Sequence, residues 1–531
     1  MSIWSYEPTG FIGNLVSVEA DIRRGIPGTI IVGLPGSAVK EARERVRVAI
    51  KNSGFQYPAS RILINLAPGG VPKSGTLFDL PIALALLSNS GQFTVPRDVP
   101  VLAMGEVLLS GKVRPVRGIL PAVAEGLKAG IKHFIVPNKN IKEALVLRKG
   151  IIGGVDTLTD AIALLSLLIK RQSYTDLEGG WIEASNHPPV FDRELYDGYP
   201  DFSDLKGQFY VKRAMQVAAA GGHNVLLFGP PGSGKTMTGI RFPSILPDLS
   251  QENALEVTRI HSLAGLIPPA CGIIIRPPYR APHHSASPEG IVGGGICIKP
   301  GEISLAHSGV LFLDETPEFK KNILQNLREP LEEGSISIVR VGKSFQFPAD
   351  FQLILSANPC PCGNLGKKSG ICVCSMHEVN NYWKRIGGAL MDRIDIRIAM
   401  TPPSPEELLS SNNEGTDFMR KQVEKTVKVQ KQRYKQETFC RNGRISPGKV
   451  AAYCRLSKKC QNELNNAVQS LDLSARAVSS VLKVARTAAD LDGAEKIGSK
   501  QLFEAIQYRR YGDSHKIWET LHNFSDSLHT P

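Results

Sequence analysis

Val225-Leu226-Leu227-Phe228 runs straight into Gly229-Pro230-Pro231-Gly232-Ser233-Gly234-Lys235-Thr236. Four consecutive apolar residues read as a strand buried on both faces. The eight that follow satisfy G-x-x-x-x-G-K-[ST], a loop whose backbone N–H groups cradle phosphate. Strand, loop and following helix together demand an α/β architecture with a mostly parallel sheet, in which the helix N-terminus meets the anion. The spacing predicts that Lys235 reaches the β- and γ-phosphates of ATP and that Thr236 ligates Mg²⁺.

Further apolar runs deliver polar residues to the same place. Gly309-Val310-Leu311-Phe312-Leu313 ends in Asp314-Glu315. Asp314 is expected to hold Mg²⁺ and Glu315 to polarise the attacking water. Phe351–Ala357 ends at Asn358, a tip that either helps place that water or is an ordinary turn residue. In Gly388-Ala-Leu-Met-Asp392-Arg393-Ile-Asp395, Arg393 is a candidate to stabilise the transferring phosphoryl group across a subunit boundary. A salt bridge to Asp392 or Asp395 competes, and Arg385 is the rival. Ser474 is placed to cap a helix whose apolar stripe is Ala477, Val481, Val484, Ala488 and Leu491, with Arg476 in its first turn.

A chain of 531 residues is too long for one core, so several domains are expected. Residues 1–170 alternate strands, such as Ile30–Val32, Ile62–Leu66 and Phe134–Val136, with helices over Val39–Ser53 and Pro121–Ala129. Residues 171–205 read as a linker and 206–400 as the P-loop core. Residues 401–512 read as a helical lid and 513–531 as a tail. No secretory leader and no membrane-spanning run is evident, which predicts a cytoplasmic protein.

The formal net charge is +13, and the stretch Met419–Cys460 holds thirteen Lys or Arg against two acids. Lys421, Lys425, Lys428 and Lys431 fall at helical spacing. A solvated face is the plain reading; a phosphate-contacting surface for DNA is the sharper one. The cysteines number nine, and Cys360, Cys362, Cys372 and Cys374 cluster just after Asn358. Four thiols in so short a loop suit a structural Zn²⁺ site, with Lys367 and Lys368 between the pairs.

Arg280-Ala-Pro-His283-His284, Ile291-Val-Gly-Gly-Gly295, the run from Lys299 to Glu315, and Asn358-Pro-Cys-Pro-Cys-Gly363 resemble the magnesium-chelatase-like AAA+ proteins, nearest the ComM/YifB group. The resemblance extends over nearly the whole chain. It implies an α/β AAA+ ATPase core with a helical lid, in which Asn358 is sensor 1 and Arg476 is sensor 2. It also implies a homohexameric ring that translocates on single-stranded or branched DNA, as a helicase driving branch migration in transformation or recombination. The alternative is a protein-remodelling or chelatase-type ATPase acting on a protein or porphyrin complex. The His283–His284 pair is left unassigned among metal, structural and DNA-facing roles.

Near the N-terminus, Pro72-Lys-Ser-Gly75, Phe78–Ala83, Gly105-Glu106 and Leu109–Gly118 resemble the Lon protease domain, an α+β fold like that of ribosomal protein S5. Laid along those motifs, the nucleophile position falls near Thr76 or Leu77 and the Lys base at Leu120. Leucine cannot take a proton, so the fold is expected without the protease. The helix carrying Lys40, Arg43, Arg45, Arg47 and Lys51 is expected to serve oligomerisation or substrate engagement.

Overall fold

In the computed structural model, which describes residues 3–93, 99–168, 180–187, 198–268, 271–295, 298–340, 343–365, 371–404, 406–407 and 414–510, the chain builds two sheets and a helical C-terminal part. The tail, Lys367 and Lys368 lie outside the described residues. No helix among the described residues is long and apolar enough to cross a membrane.

The N-terminal sheet is eight-stranded and mixed. Its strands Gly28–Val32, Arg61–Ala67 and His133–Pro137 contain the three apolar runs read as strands, and the helices Ser37–Asn52 and Ile119–Lys128 overlap the two expected ones. The basic helix is not a free surface along its length. Arg45 turns inward and forms a fork on the buried Asp79, with Nε and Nη2 each 2.9 Å from a carboxylate oxygen. Burial pushes the Asp79 carboxyl up, and the guanidinium opposes it.

The segment read as a linker is partly structure. Trp181–Glu183 adds an antiparallel edge strand to the N-terminal sheet, and Phe202 is buried in the core of the P-loop domain. Three strand residues among polar neighbours give no periodicity, and Trp181 is held by tertiary packing, with its indole donating to Leu164 O at 3.1 Å.

The second sheet has five strands, all parallel. Across the sheet they run Tyr279–Arg280, Val310–Leu313, Gln352–Ala357, Val225–Phe228 and Ile396–Ala399. The P-loop strand therefore lies between the last two strands of the domain, with Val310–Leu313 one strand further along the sheet. Two small hairpins interrupt the sheet's sequence: Gly293–Gly294 with Lys299–Pro300, and Ser335–Arg340 with Lys343–Pro348.

The sheets dock through the helix Gln251–Ala264. Leu120 and Val146 meet Ala254 and Ile273 in a small apolar cluster, and Arg259 pairs with Glu125 at 2.9 Å. Glu143 is buried here and accepts from Leu120 N–H at 2.9 Å and from the Ser262 hydroxyl of the other domain. Leu120, the residue expected at the position of a Lon base, thus serves a domain contact.

The lid packs on the helix Phe209–Gly221 through Thr416–Arg433 and Ala475–Leu491. Ser474 Oγ accepts from Ala477 N–H at 3.2 Å, and Ala477, Val481, Val484 and Ala488 are buried, as the stripe predicts. A polar relay pins lid to core. His223 Nδ1 lies 3.1 Å from Asp395 Oδ2, its Nε2 lies 2.8 Å from Thr487 Oγ1, and Ser480 donates to Asp395. Burial alone would push the Asp395 carboxyl up, but His223 and Ser480 outweigh it and hold it at about 2. A depressed carboxyl stabilises above its unfolded value near 4 and loses that contribution as pH falls through 2. Asp395→Asn should therefore lower the melting temperature at pH 7, by the equivalent of roughly 2 kcal/mol for a lost charge-assisted bond, and the deficit should shrink on acidification in a pH series of thermal melts.

Candidate nucleotide site

Parallel strands deliver their carboxyl ends to one edge, and the polar residues stand there together. Gly229 follows Phe228, Asp314 follows Leu313, and Asn358 follows Ala357. The loop needs its glycines. Gly232 and Gly234 have φ of +82° and +90°, and a Cβ on Gly229 would lie 2.2 Å from Met400 O. Pro230, Pro231 and Ser233 complete the turn, and the helix Lys235–Arg241 begins directly after it.

Lys235 is nearly buried and curls back, with Nζ donating to Gly229 O at 2.7 Å and Pro230 O at 3.1 Å. Burial pushes its ammonium down, and Asp314 and Glu315 oppose that. The Ser233 hydroxyl is buried without a hydrogen-bond partner inside the loop. An anion in the cradle would pair with the buried ammonium and offer acceptors to such donors, so the residues fit a phosphate chain.

Thr236 Oγ1 donates to Asp314 Oδ2 at 2.7 Å. A hydroxyl and a carboxylate already in contact are a hard-oxygen pair of the kind Mg²⁺ takes. Ser356 also donates to Asp314, and the Glu315 N–H points at Asp314 Oδ1 (3.1 Å) and Ser356 Oγ (3.2 Å). Glu315 itself sits at φ +50°, a strained left-handed conformation for a residue with a side chain. Its carboxylate is exposed beside His284, whose Nδ1 is 3.8 Å from Oε2, and His284 stacks on His283 with centroids 4.0 Å apart. Asn358 is half-buried at its strand tip.

Arg393 and Arg476 are elsewhere. Arg393 O accepts from Asn224, the residue before the P-loop strand, so Arg393 lies at the opposite end of the sheet from Gly229. Its side chain pairs with neither Asp392 nor Asp395; it donates to Glu332 and to Ala389 O. Arg476 reaches the same Glu332 oxygen at 2.7 Å. Two guanidiniums, one from the core and one from the lid, converge on a single carboxylate oxygen. Arg385, the rival, stays on its own Walker B side, 3.6 Å from Glu318.

The four cysteines come together after Asn358. Cys360, Cys362 and Cys372 have sulfurs 3.4–3.7 Å apart, and all four lie within 4.8 Å of one another. The cluster is compatible with zinc. Sequence reasoning did not single out Ser356 or Glu332; Ser356 left one signal, a hydroxyl in an otherwise apolar strand.

Three family profiles match along the chain: "Subunit ChlI of Mg-chelatase" over residues 18–140, "Magnesium chelatase, subunit ChlI" over 201–408, and "Magnesium chelatase, subunit ChlI C-terminal" over 413–509. The uncharacterized protein YifB of Salmonella typhimurium is 39% identical, covering 93% of this chain and 94% of its own. The competence protein ComM of Haemophilus influenzae is 37% identical, covering 96% and 97%. The chain belongs to the ComM/YifB group of magnesium-chelatase-like AAA+ proteins. A Lon protease of Geobacter metallireducens matches only a segment, 27% identical over 29% of this chain and 19% of its own. This chain therefore joins a Lon-like N-terminal part to an AAA+ core, and in that part Thr76 donates to Glu106 at 3.0 Å while Leu120 is buried.

Two substitutions separate binding from chemistry. Glu315→Gln should bind ATP about as tightly as the parent while losing hydrolysis by a factor on the order of 10²–10⁴, the span of general-base catalysis. Lys235→Ala should lose nucleotide binding itself in a fluorescent-ADP titration.

Proposed function

We propose that this chain is a ring-forming AAA+ motor that hydrolyses ATP to move on single-stranded or branched DNA, as a helicase or branch-migration enzyme. The observation that carries this reading is the direction of the lid's charges. Along Met419–Cys460 the arginines are largely spent on internal pairs: Arg420 with Asp248, Arg433 with Asp490, Arg444 with Asp350. Lys421, Lys425, Lys428 and Lys431 instead all face solvent on one side of the helix Thr416–Arg433. A row of flexible, unspent ammonium groups is a sequence-indifferent phosphate contact. The name of the relative ComM, a competence protein, favours a nucleic-acid client over a porphyrin complex.

In this reading Thr236 and Asp314 hold Mg²⁺, which neutralises phosphate charge, and the cysteine cluster holds zinc. Glu315 accepts the proton of the attacking water, and Asn358 orients that water. Arg393 stands at the strand end away from its own P-loop edge, and Arg476 meets it there on Glu332. They are aimed instead at the ATP of a neighbouring subunit, where two guanidiniums take up the charge that builds on the transferring phosphoryl group.

Trans action has a direct check. Arg393→Ala and Lys235→Ala should each be inactive alone, with the arginine loss on the order of 10³-fold. Mixing the two should restore a fraction of the ATPase, because some interfaces combine an intact P-loop with an intact arginine; no recovery in demonstrably mixed rings would refute it. The lysine row is checked by binding. Replacing Lys421, Lys425 and Lys428 with Ala should flatten the slope of log K against log salt by about 2–3 for DNA, one unit for each lost phosphate contact. An unchanged slope would move the client from DNA to a protein.

A further inference from the structure

The P-loop has a neighbour that phosphate chemistry does not require. A Cβ on Gly363 would lie 3.0 Å from Pro231 Cγ and 3.1 Å from Cδ, and Gly363 has φ +75°. Both the backbone and the space therefore call for glycine. Gly363 closes a turn on Cys360, its N–H donating to Cys360 O at 3.0 Å. The cysteine loop thus leans on the phosphate-binding loop.

A second contact runs from the same loop to the other end of the P-loop. Pro359, between Asn358 and Cys360, accepts from the indole of Trp383 at 3.0 Å. Trp383 meets Phe228 edge-on, with centroids 5.8 Å apart. Phe228 is the last strand residue before Gly229. Cys360 and Val379 pack beneath, with Trp383, Cys362, Cys372 and Cys374 around them.

The sulfur geometry says what stiffens this loop. Four sulfurs each about 2.3 Å from one tetrahedral zinc stand about 3.8 Å apart, whereas a disulfide holds two at about 2.0 Å. The separations of 3.4–3.7 Å among Cys360, Cys362 and Cys372, with Cys374 within 4.8 Å of them, are nearer the former. Cys372 and Cys374 turn inward while Ile371 and Val373 between and beside them are 86% and 81% exposed. Apolar burial would choose the opposite alternation, so a force other than hydrophobicity orients the thiols.

We propose that Cys360, Cys362, Cys372 and Cys374 bind one Zn²⁺ whose task is to hold the P-loop in its nucleotide-ready shape, through Gly363 on Pro231 and through Pro359 and Trp383 on Phe228. This rests on the zinc reading above and adds the ion's role. Preorganised, the loop loses little entropy when phosphate arrives; released, it must be ordered by the nucleotide itself.

The test uses the full-length protein. Metal content and the absorption of a Co²⁺-exchanged sample come first, with one zinc per chain and tetrahedral thiolate bands expected. ADP affinity is then followed with a fluorescent analogue in native, chelator-stripped and Zn²⁺-restored protein, with Trp383 emission read against a Trp383→Phe control. Stripping should weaken ADP binding at least tenfold and shift the Trp383 emission, and Zn²⁺ should restore both. Gly363→Ala should keep its zinc yet bind ADP several-fold more weakly, and this variant decides the matter if stripping unfolds the protein. Native protein without zinc and without Co²⁺ bands would remove the metal site. Zinc present, with ADP affinity unchanged on stripping or in Gly363→Ala, would leave the site standing and overturn its coupling to the P-loop.

Discussion

Strand Val225–Phe228 is hydrogen-bonded in parallel to Gln352–Ala357 on one side and Ile396–Ala399 on the other. Everything chemical depends on that pairing. Because the strands all run one way, the residues that leave them at the carboxyl edge — Gly229, Asp314 and Asn358 — are gathered without any of them being close in sequence. The residues that enter the strands, Asn224 and Arg393 to Asp395, are gathered at the other edge by the same rule. One subunit therefore carries a phosphate-binding edge and, a strand's length away, an edge with two guanidiniums on Glu332. In the proposed ring, stacking the first edge on the second would bring the two guanidiniums to the phosphate chain.

The parts legible in the sequence are those whose physics is local. A glycine-rich turn after an apolar strand, two acids after another, and a serine capping a striped helix each declare themselves within about a dozen residues, and each is where it was expected. The parts that were not legible are pairings across the chain. Glu332 lies 144 positions from Arg476, and nothing near it distinguishes it from any helical glutamate. His284 gains meaning only because the strand Tyr279–Arg280 pairs with Val310–Leu313 and brings it to Glu315. The basic stretch shows a related limit. Its charge could be counted from the sequence, but the inward arginines and outward lysines of the helix Thr416–Arg433 are decided by Asp248 and Asp490, which lie elsewhere in the chain.

The N-terminal part follows the same logic. In the Lon-like part Leu120 takes a packing position: it is buried between the domains, and its N–H is fixed by Glu143, which also binds Ser262. The cation row of the helix Ser37–Asn52 is reduced by Arg45, committed to Asp79. That domain is attached to the P-loop core through the helix Gln251–Ala264, the helix that precedes the strand Tyr279–Arg280 and His284.

In the proposed motor, hydrolysis at Glu315 is geared to DNA. Its most direct measurement is steady-state ATPase with no DNA, with single-stranded DNA and with a branched three-strand junction, using Glu315→Gln as the blank. A DNA motor shows turnover that rises severalfold with DNA, most with the junction, and vanishes in the variant. Turnover that is abolished by Glu315→Gln yet indifferent to every DNA would contradict the DNA motor and leave an ATPase whose client is a protein.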